Sequence, residues 1–293
     1  MDPKEFLEGL NTRQRSPKDN ISKNFLEPAL KICTHYRRNV AWFRQSAIGI
    51  YAPSLRYFID NDAKIDMLIS ITGQVDKGVL QACEKTKDED SKRKILLKFG
   101  NKMLWALAGL EMNPNSWEFQ HKVLINLLAQ KKLEIRFAFT KPYEGAEQGE
   151  LFHEKAGYIK FYDGNSLAFI GNYNEAHDSI RVHGERVHIF KSTNPNSHED
   201  IRYYINDIDK QWDGNCPTTE VHRCNSETIE MCQQYIRSGN YALSNEELIK
   251  ERKEIESGTG NEKITKTKNR SPTNVPLIPE MINGKPFKLR RHQ

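Results

Sequence analysis

The stretch Leu151–Ser179, LFHEKAGYIKFYDGNSLAFIGNYNEAHDS, constrains the fold more than any other part of this 293-residue chain. It predicts a hairpin. A strand from about Leu151 to Tyr162 turns at Asp163-Gly164-Asn165 and returns as Ser166–Gly171, the Asp-Gly pair supplying the turn signal. Side chains two apart on a strand share a face, so His153 and Lys155 point together and Glu154 points away. Their Cα atoms are then roughly 6.6 Å apart, close enough to converge on one phosphate. Leu167-Ala168-Phe169-Ile170 is apolar on both faces, which places the second strand centrally in a sheet. Asn172 and Asn174 project from its carboxyl end, again two apart.

The other segments alternate between helix and strand patterns. Residues 1–21 are polar and read as a flexible amino terminus. From Ser22, the spacing of Phe25, Leu26, Ala29, Leu30 and Cys33 predicts a helix, with Pro28 tolerated in its first turn. Strands are expected at Asn39–Phe43 and Lys64–Ile71, and helices around Leu55, Phe58 and Ile59 and at Gln74–Cys83. Lys92, Arg93, Lys94, Lys98 and Lys102 surround apolar Ile95, Leu96, Leu97 and Phe99, which favours an amphipathic helix with wet lysines over a phosphate-tracking patch. A helix follows at Trp117–Gln130, then a strand at Leu133–Phe139 and a polar loop from Lys141 to Glu150. Arg186–Phe190 alternates as a strand, making His188 a packed or edge histidine, and Glu199–Trp212 has helical spacing. Ser226–Arg237 predicts a helix, a capping box at Ser244–Glu247 starts another, and Ser257–Thr273 has linker composition. The alternation as a whole implies an α/β domain with helices on both faces of the sheet.

Composition removes several classes. Charged residues at 28% and aromatics at 10% describe a folded domain. No apolar run approaches the ~18 residues that span a bilayer, and the first residues carry no secretory pattern. The 5 cysteines, odd in number and scattered, fit a reducing compartment and a cytoplasmic location. Cys216, His222, Cys224 and Cys232 cluster without any C-x-x-C pair, so no metal is expected there. There is no P-loop motif, so ATP hydrolysis is not expected of this chain. The formal net charge of +5 is compatible with nucleic acid.

His153-x-Lys155, followed by Gly171-Asn172-x-Asn174, resembles the phospholipase D superfamily signature. More closely, the stretch resembles the phospholipase-D-like nuclease domain found in front of DEAD/DEAH-type superfamily 2 helicases. The likeness extends over about Ser22–Gly214 and includes Tyr36-Arg37 and Ala41-Trp42-Phe43. It implies a phospholipase-D-like mixed β-sheet over residues 22–215, flanked by helices on both faces. A helical extension would follow over 216–256, then a linker over 257–275. The end, PFKLRRHQ, looks like the L-R-x-[HY]-Q opening of a helicase motor, so 276–293 would begin a truncated motor and the chain would be a fragment. The resemblance further implies phosphodiester cleavage through a covalent phosphohistidine, without metal or cofactor. His153 would be the nucleophile, Lys155 a phosphate clamp, Asn174 a second phosphate ligand, and Glu185 the acid that orients an imidazole. Asn172 and Ser179 would touch substrate. Lys160 stands where such proteins usually carry an acid, and Asn172 where they carry serine.

The residue types suit the chemistry. An imidazole must be neutral to attack, and its ordinary pKa near ~6.5 leaves it so at neutral pH. A lysine and amide donors offset charge developing on phosphoryl oxygens. The leaving oxygen needs a general acid, for which a second imidazole is suited. With a single H-x-K, two chains are expected to build the site as a homodimer, each giving one His153. His177 and His183 flank the site in sequence. The expected partners are nucleic acid, DNA before RNA, and a helicase motor, with no membrane. Two rival readings are a catalytically degenerate DNA-binding module and a phospholipid phosphodiesterase.

Overall fold

The strand signals assemble into one eight-stranded mixed sheet, and the order of its strands explains which are apolar on both faces. The structure is a computed structural model. It describes residues 1–16, 18–41, 43, 54, 57–58, 62–70, 81–83, 85–86, 88–110, 119–141, 152–174, 184–224, 226–238, 281–282 and 285–286. Helix α1 (Pro3–Gly9) and strand β1 (Arg13–Arg15) come first. Helix α2 is a wide turn over Ser22–Leu26 that continues as Glu27–Leu30. Then come β2 (Cys33–Val40), β3 (Lys64–Ser70), α3 (Glu89–Leu107), α4 (Phe119–Ala129) and β4 (Leu133–Thr140). The hairpin is β5 (Ala156–Phe161) and β6 (Ser166–Gly171), followed by β7 (Arg186–Lys191), α5 (His198–Trp212), β8 (Thr219–Arg223) and α6 (Ser226–Arg237). A separate pair, β9 (Met281–Ile282) and β10 (Lys285–Pro286), is antiparallel.

Across the sheet the order is β1-β7-β6-β5-β2-β3-β4-β8. Strands β2, β3 and β4 run parallel, and every other neighbour is antiparallel. Period-2 alternation divides the strands between two cores. Met67, Ile69, Ile135, Phe137, Ile159, Leu167 and Phe169 face the main core, together with residues of α2, α3, α4 and α6. Leu68, Ala138, Tyr158 and Ala168 face α5 through Ile201, Ile208 and Trp212. Helices therefore cover both faces, as the sequence predicts. β6 is apolar on both sides because it lies between β5 and β7 with a core on each face.

The hairpin turn is local chemistry. Gly164 takes φ +83°, the Asp163 carboxylate accepts from the Asn165 N–H at 2.9 Å, and the Gly164 N–H reaches the Phe161 carbonyl at 3.2 Å. Earlier, on β5, Gly157 lets three strands approach closely. A Cβ there would stand 2.6 Å from Cζ of Phe169 and 2.8 Å from the Arg37 carbonyl oxygen. On α3, Asp88 caps the first turn by accepting from the Ser91 N–H at 2.8 Å. Lys94, Lys98 and Lys102 are exposed at four-residue spacing while Leu96, Leu97 and Phe99 pack on the main core, so the wet-lysine reading holds. No helix among the described residues is long and apolar enough to cross a membrane.

Three readings need correction. Residues 3–15 are not loose: α1 buries Phe6 and Leu7, and β1 adds to the sheet edge beside β7. β2 begins at Cys33 rather than Asn39, so Cys33 lies on a strand and not on the preceding helix. Its polar run Thr34-His35-Tyr36-Arg37-Arg38 is accommodated because the charges are paired. Asp66 accepts from His35 at 2.7 Å and from Arg37 at 2.7 Å, and Arg37 also bonds Asp209 of α5. Third, Thr219–Arg223 is a strand, β8, where only helix was expected, and it closes the edge beyond β4. Residues 142–150, 239–280 and 287–293 lie outside the described residues, and with them the loop before the hairpin, the linker and the motor-like terminus.

Candidate active site

The ladder of β5 starts at Ala156, which pairs with Asn39 on one side and Ile170 on the other. Residues 152–155 thus stand beyond the sheet, at the carboxyl ends of β2 and β6 and off the strand that was expected to carry them. This is the edge at which open α/β sheets present ligand sites. The alternation persists without the ladder. Phe152 is buried with Leu68, Ala138 and Trp212 on the α5 side. On the same side the Glu154 carboxylate accepts from Asn39 Nδ2 at 3.0 Å and from Gln211 Nε2 at 2.9 Å. His153 and Lys155 face the other way, as predicted. The Lys155 carbonyl accepts from the Gly171 N–H at 3.1 Å, tying the segment to the end of β6.

The two side chains converge. Lys155 Nζ is 3.0 Å from each ring nitrogen of His153 and 3.0 Å from the His153 carbonyl oxygen. Lys155 is only 8% exposed. Its burial, and next the neighbouring Arg38 guanidinium, push its pKa down to about 8, opposed by the Glu185 carboxylate. Burial and the Lys155 charge likewise lower the His153 pKa below its ordinary value, so the imidazole is neutral at neutral pH. A buried lysine with a lowered pKa, in contact with a neutral histidine at this edge of the sheet, marks the pair as the candidate site.

Arg38 was not among the sequence candidates, because the strand was read from Asn39. It is fully buried, its Cζ 4.9 Å from the Phe169 ring and 4.4 Å from the Tyr173 ring, and Nη2 donates to the Tyr173 carbonyl at 2.9 Å. It thereby holds the backbone at Tyr173. Tyr173 points into the core, stacked 6.4 Å from Phe169, which turns its neighbours outward. Asn172 is exposed, its side-chain oxygen accepting from the Arg186 N–H at 2.6 Å, and Asn174 is half-buried. Glu185 is fixed by a backbone exchange with Ser16. The Ser16 N–H donates to the Glu185 carbonyl at 3.0 Å, and the Glu185 N–H donates to Ser16 Oγ at 3.2 Å.

His153, Lys155 and Glu185 are therefore brought to one place, with Asn172 and Asn174 on the adjoining strand end. Ser179, His177 and His183 lie outside the described residues. Among the described residues no group of three His, Cys, Asp or Glu side chains is arranged to hold a metal. In the carboxyl-terminal cysteine cluster, His222 bonds Glu220 and Cys216 Sγ bonds Thr218 Oγ1 at 3.2 Å.

For any reaction that uses a neutral His153 and a protonated Lys155, the pKa directions predict a bell-shaped pH profile. On the acid side kcat/KM should rise as His153 loses its proton, with a midpoint below the ordinary histidine value. On the alkaline side it should fall around pH 8, where Lys155 loses its proton. A rate that stays level from pH 7 to about 10, the ordinary lysine range, would show that the ammonium form is not required.

No family model matches the chain, and no curated protein matches it. Solved structures do. NucT from Helicobacter pylori has 11% identity, covering 69% of this chain and 94% of that one, with a TM-score of 0.40. Nuc from Salmonella typhimurium, a phospholipase D family member, has 8% identity over 72% of this chain and 95% of that one, TM-score 0.38. Phosphatidylserine synthase from Haemophilus influenzae Rd KW20 has 9% identity over 77% and 44%, TM-score 0.40. The chain is similar to phospholipase D family structures.

Proposed function

We propose that this chain is a metal-independent phosphodiesterase that cuts nucleic acid, with DNA as its preferred polymer, through a covalent phosphohistidine at His153. The observation that carries the reading is the 3.0 Å contact between His153 and the buried Lys155 at the carboxyl edge of the sheet. The unprotonated ring nitrogen of His153 attacks phosphorus, and the bond from phosphorus to the leaving oxygen breaks. That oxygen takes a proton from a general acid. Water then attacks the phosphohistidine, releasing a phosphate monoester and the free imidazole. Lys155 exchanges its contact with the ring for one with a non-bridging oxygen, where its charge opposes the charge that develops in the transition state. Asn174 and Asn172 add amide donors at the end of β6, and Glu185 keeps Lys155 protonated while orienting an imidazole.

The general acid in this scheme is the His153 of a second copy, placed across a twofold axis. The full-length context we propose is a helicase-type DNA-processing or restriction protein in which this domain precedes the motor. The test is cleavage of labelled single- and double-stranded DNA in excess EDTA. EDTA-resistant cutting by a protein that sediments as a dimer is the expected result. Cutting that EDTA abolishes would overturn the metal-independent mechanism, and salt-dependent binding with no turnover would make the domain a binding module.

A further inference from the structure

On the α5 side of the sheet edge, beyond the helix, lies a cleft of about 720 Å³ that the catalytic scheme does not use in full. Its wall is built by β1, the strand that sequence patterning does not reveal. β1 and β7 pair with Arg13 opposite His188 and Arg15 opposite Arg186. Cross-strand partners share a face, and so do residues two apart, so these four basic side chains stand together on one side. Gln14, between the two arginines, is buried, which commits both arginines outward. Along the strand they are spaced at roughly 6.8 Å and across the ladder at roughly 4.8 Å. Arg13, Arg15 and Arg186 are exposed, and among the described residues no carboxylate is paired with their guanidinium groups. Among the described residues of the cleft wall Asp19 is the one acid, and its Oδ2 accepts from the Arg15 backbone N–H at 2.8 Å.

The contrast with other arginines of the sheet and its helices is informative. Arg37, Arg93, Arg136 and Arg223 each have a carboxylate within 4 Å. A concave surface with three arginines against one aspartate is built to receive anions. The cleft reaches the strand ends that carry the candidate site, on the face of the sheet opposite to Lys155, so a strand held in it would pass around those ends to reach His153. Asn172 and Gly184 line it, Gly184 precedes Glu185, and a Cβ on Gly184 would stand 3.9 Å from Arg15 Nη2.

We propose that Arg13, Arg15, Arg186 and His188 form a groove that binds successive phosphates of the nucleic-acid strand whose scissile phosphate is at His153. The choice of nucleic acid as occupant rests on the function proposed above. Several arginine forks at strand spacing suit a polymer carrying one phosphate per residue, since each guanidinium can grip a phosphate bidentately. The groove reads no base, so it positions the strand without conferring sequence preference.

The test is fluorescence anisotropy with a labelled oligodeoxynucleotide, made in the full chain carrying His153→Ala so that no cutting enters the reading. Arg13→Gln with Arg15→Gln should weaken binding at least about tenfold at ~0.15 M salt. It should also flatten the dependence of log affinity on log salt by about 1.4–1.8, that is 0.7–0.9 per lost phosphate contact. Arg186→Gln, on a different strand, should flatten it by about one, and Arg13→Lys with Arg15→Lys should restore the slope. Circular dichroism confirms that the variants fold. Unchanged affinity and slope in both glutamine variants would overturn the proposal. So would arginine-dependent sedimentation with phosphatidylglycerol vesicles alongside arginine-independent DNA binding. Failure of the wild-type chain to cut DNA would sink the nuclease reading, while arginine-dependent DNA binding would leave the groove standing.

Discussion

Replacing His153 by alanine is expected to abolish phosphodiester cleavage, lowering the single-turnover rate by at least about 10⁴-fold, the scale on which covalent catalysts lose activity without their nucleophile. The side chain is exposed and its ring touches Lys155, so its removal opens no core cavity. Stability should therefore stay within about 0.5 kcal/mol of wild type. The loss must appear in chemistry and not in binding, because Lys155, Asn172, Asn174 and the arginine edge remain. Single-turnover assays with ³²P-labelled DNA make the decisive comparison. Wild type should accumulate an acid-labile, alkali-stable protein-bound phosphoryl adduct that the variant lacks. A variant cutting within tenfold of wild type, or one that still forms the adduct, would remove His153 from the nucleophile's role.

The largest effect on stability is expected from Phe169→Ala. Phe169 is fully buried at the centre of β6, packed edge-on against Phe25 at 5.2 Å and stacked between Tyr36 and Tyr173, each at 6.4 Å. Arg38 lies over its ring, and Gly157 is glycine to make room for it. Few of these neighbours can collapse into the space, because each is held by a strand or by a second contact. The cost should be about 3–5 kcal/mol. For a domain of this size that lowers the melting temperature by roughly 10 °C or more. Tyr203→Ala, removing a side chain that is 64% exposed, serves as the control and should change stability by less than about 0.5 kcal/mol. A Phe169→Ala loss under about 1 kcal/mol would mean that the aromatic cluster does not hold β5, β6 and β2 together.

Phe169→Ala should also reduce cleavage by the folded fraction, since Arg38 and Tyr173 depend on the same ring and carry the backbone of Asn172 and Asn174. The coupling arises from packing. The core on one face of β6 and the site at its end share the same three aromatic and guanidinium planes.

Much of this molecule is set by interactions between residues close in sequence. Asp163-Gly164-Asn165 makes its own turn, so the hairpin and the bounds of β6 follow from about twenty residues. Helical spacing alone gives α5 within one residue and α6 at both ends, because each buries one stripe and wets the other. The facing of His153 with Lys155, and of Glu154 away from both, is likewise a consequence of backbone alternation. The tertiary structure decided what depends on partners far along the chain. Arg13–Arg15 has no strand pattern of its own, and it is a strand because β7, more than 170 residues later, offers a free edge. The polar run that opens β2 lies in a central strand only because Asp66 and Asp209 neutralise Arg37 and two aromatic rings enclose Arg38. Lys155 is an ordinary lysine in sequence. Burial beneath the strand ends and the approach of Arg38 bring its pKa to about 8, and neither can exist until the sheet has formed.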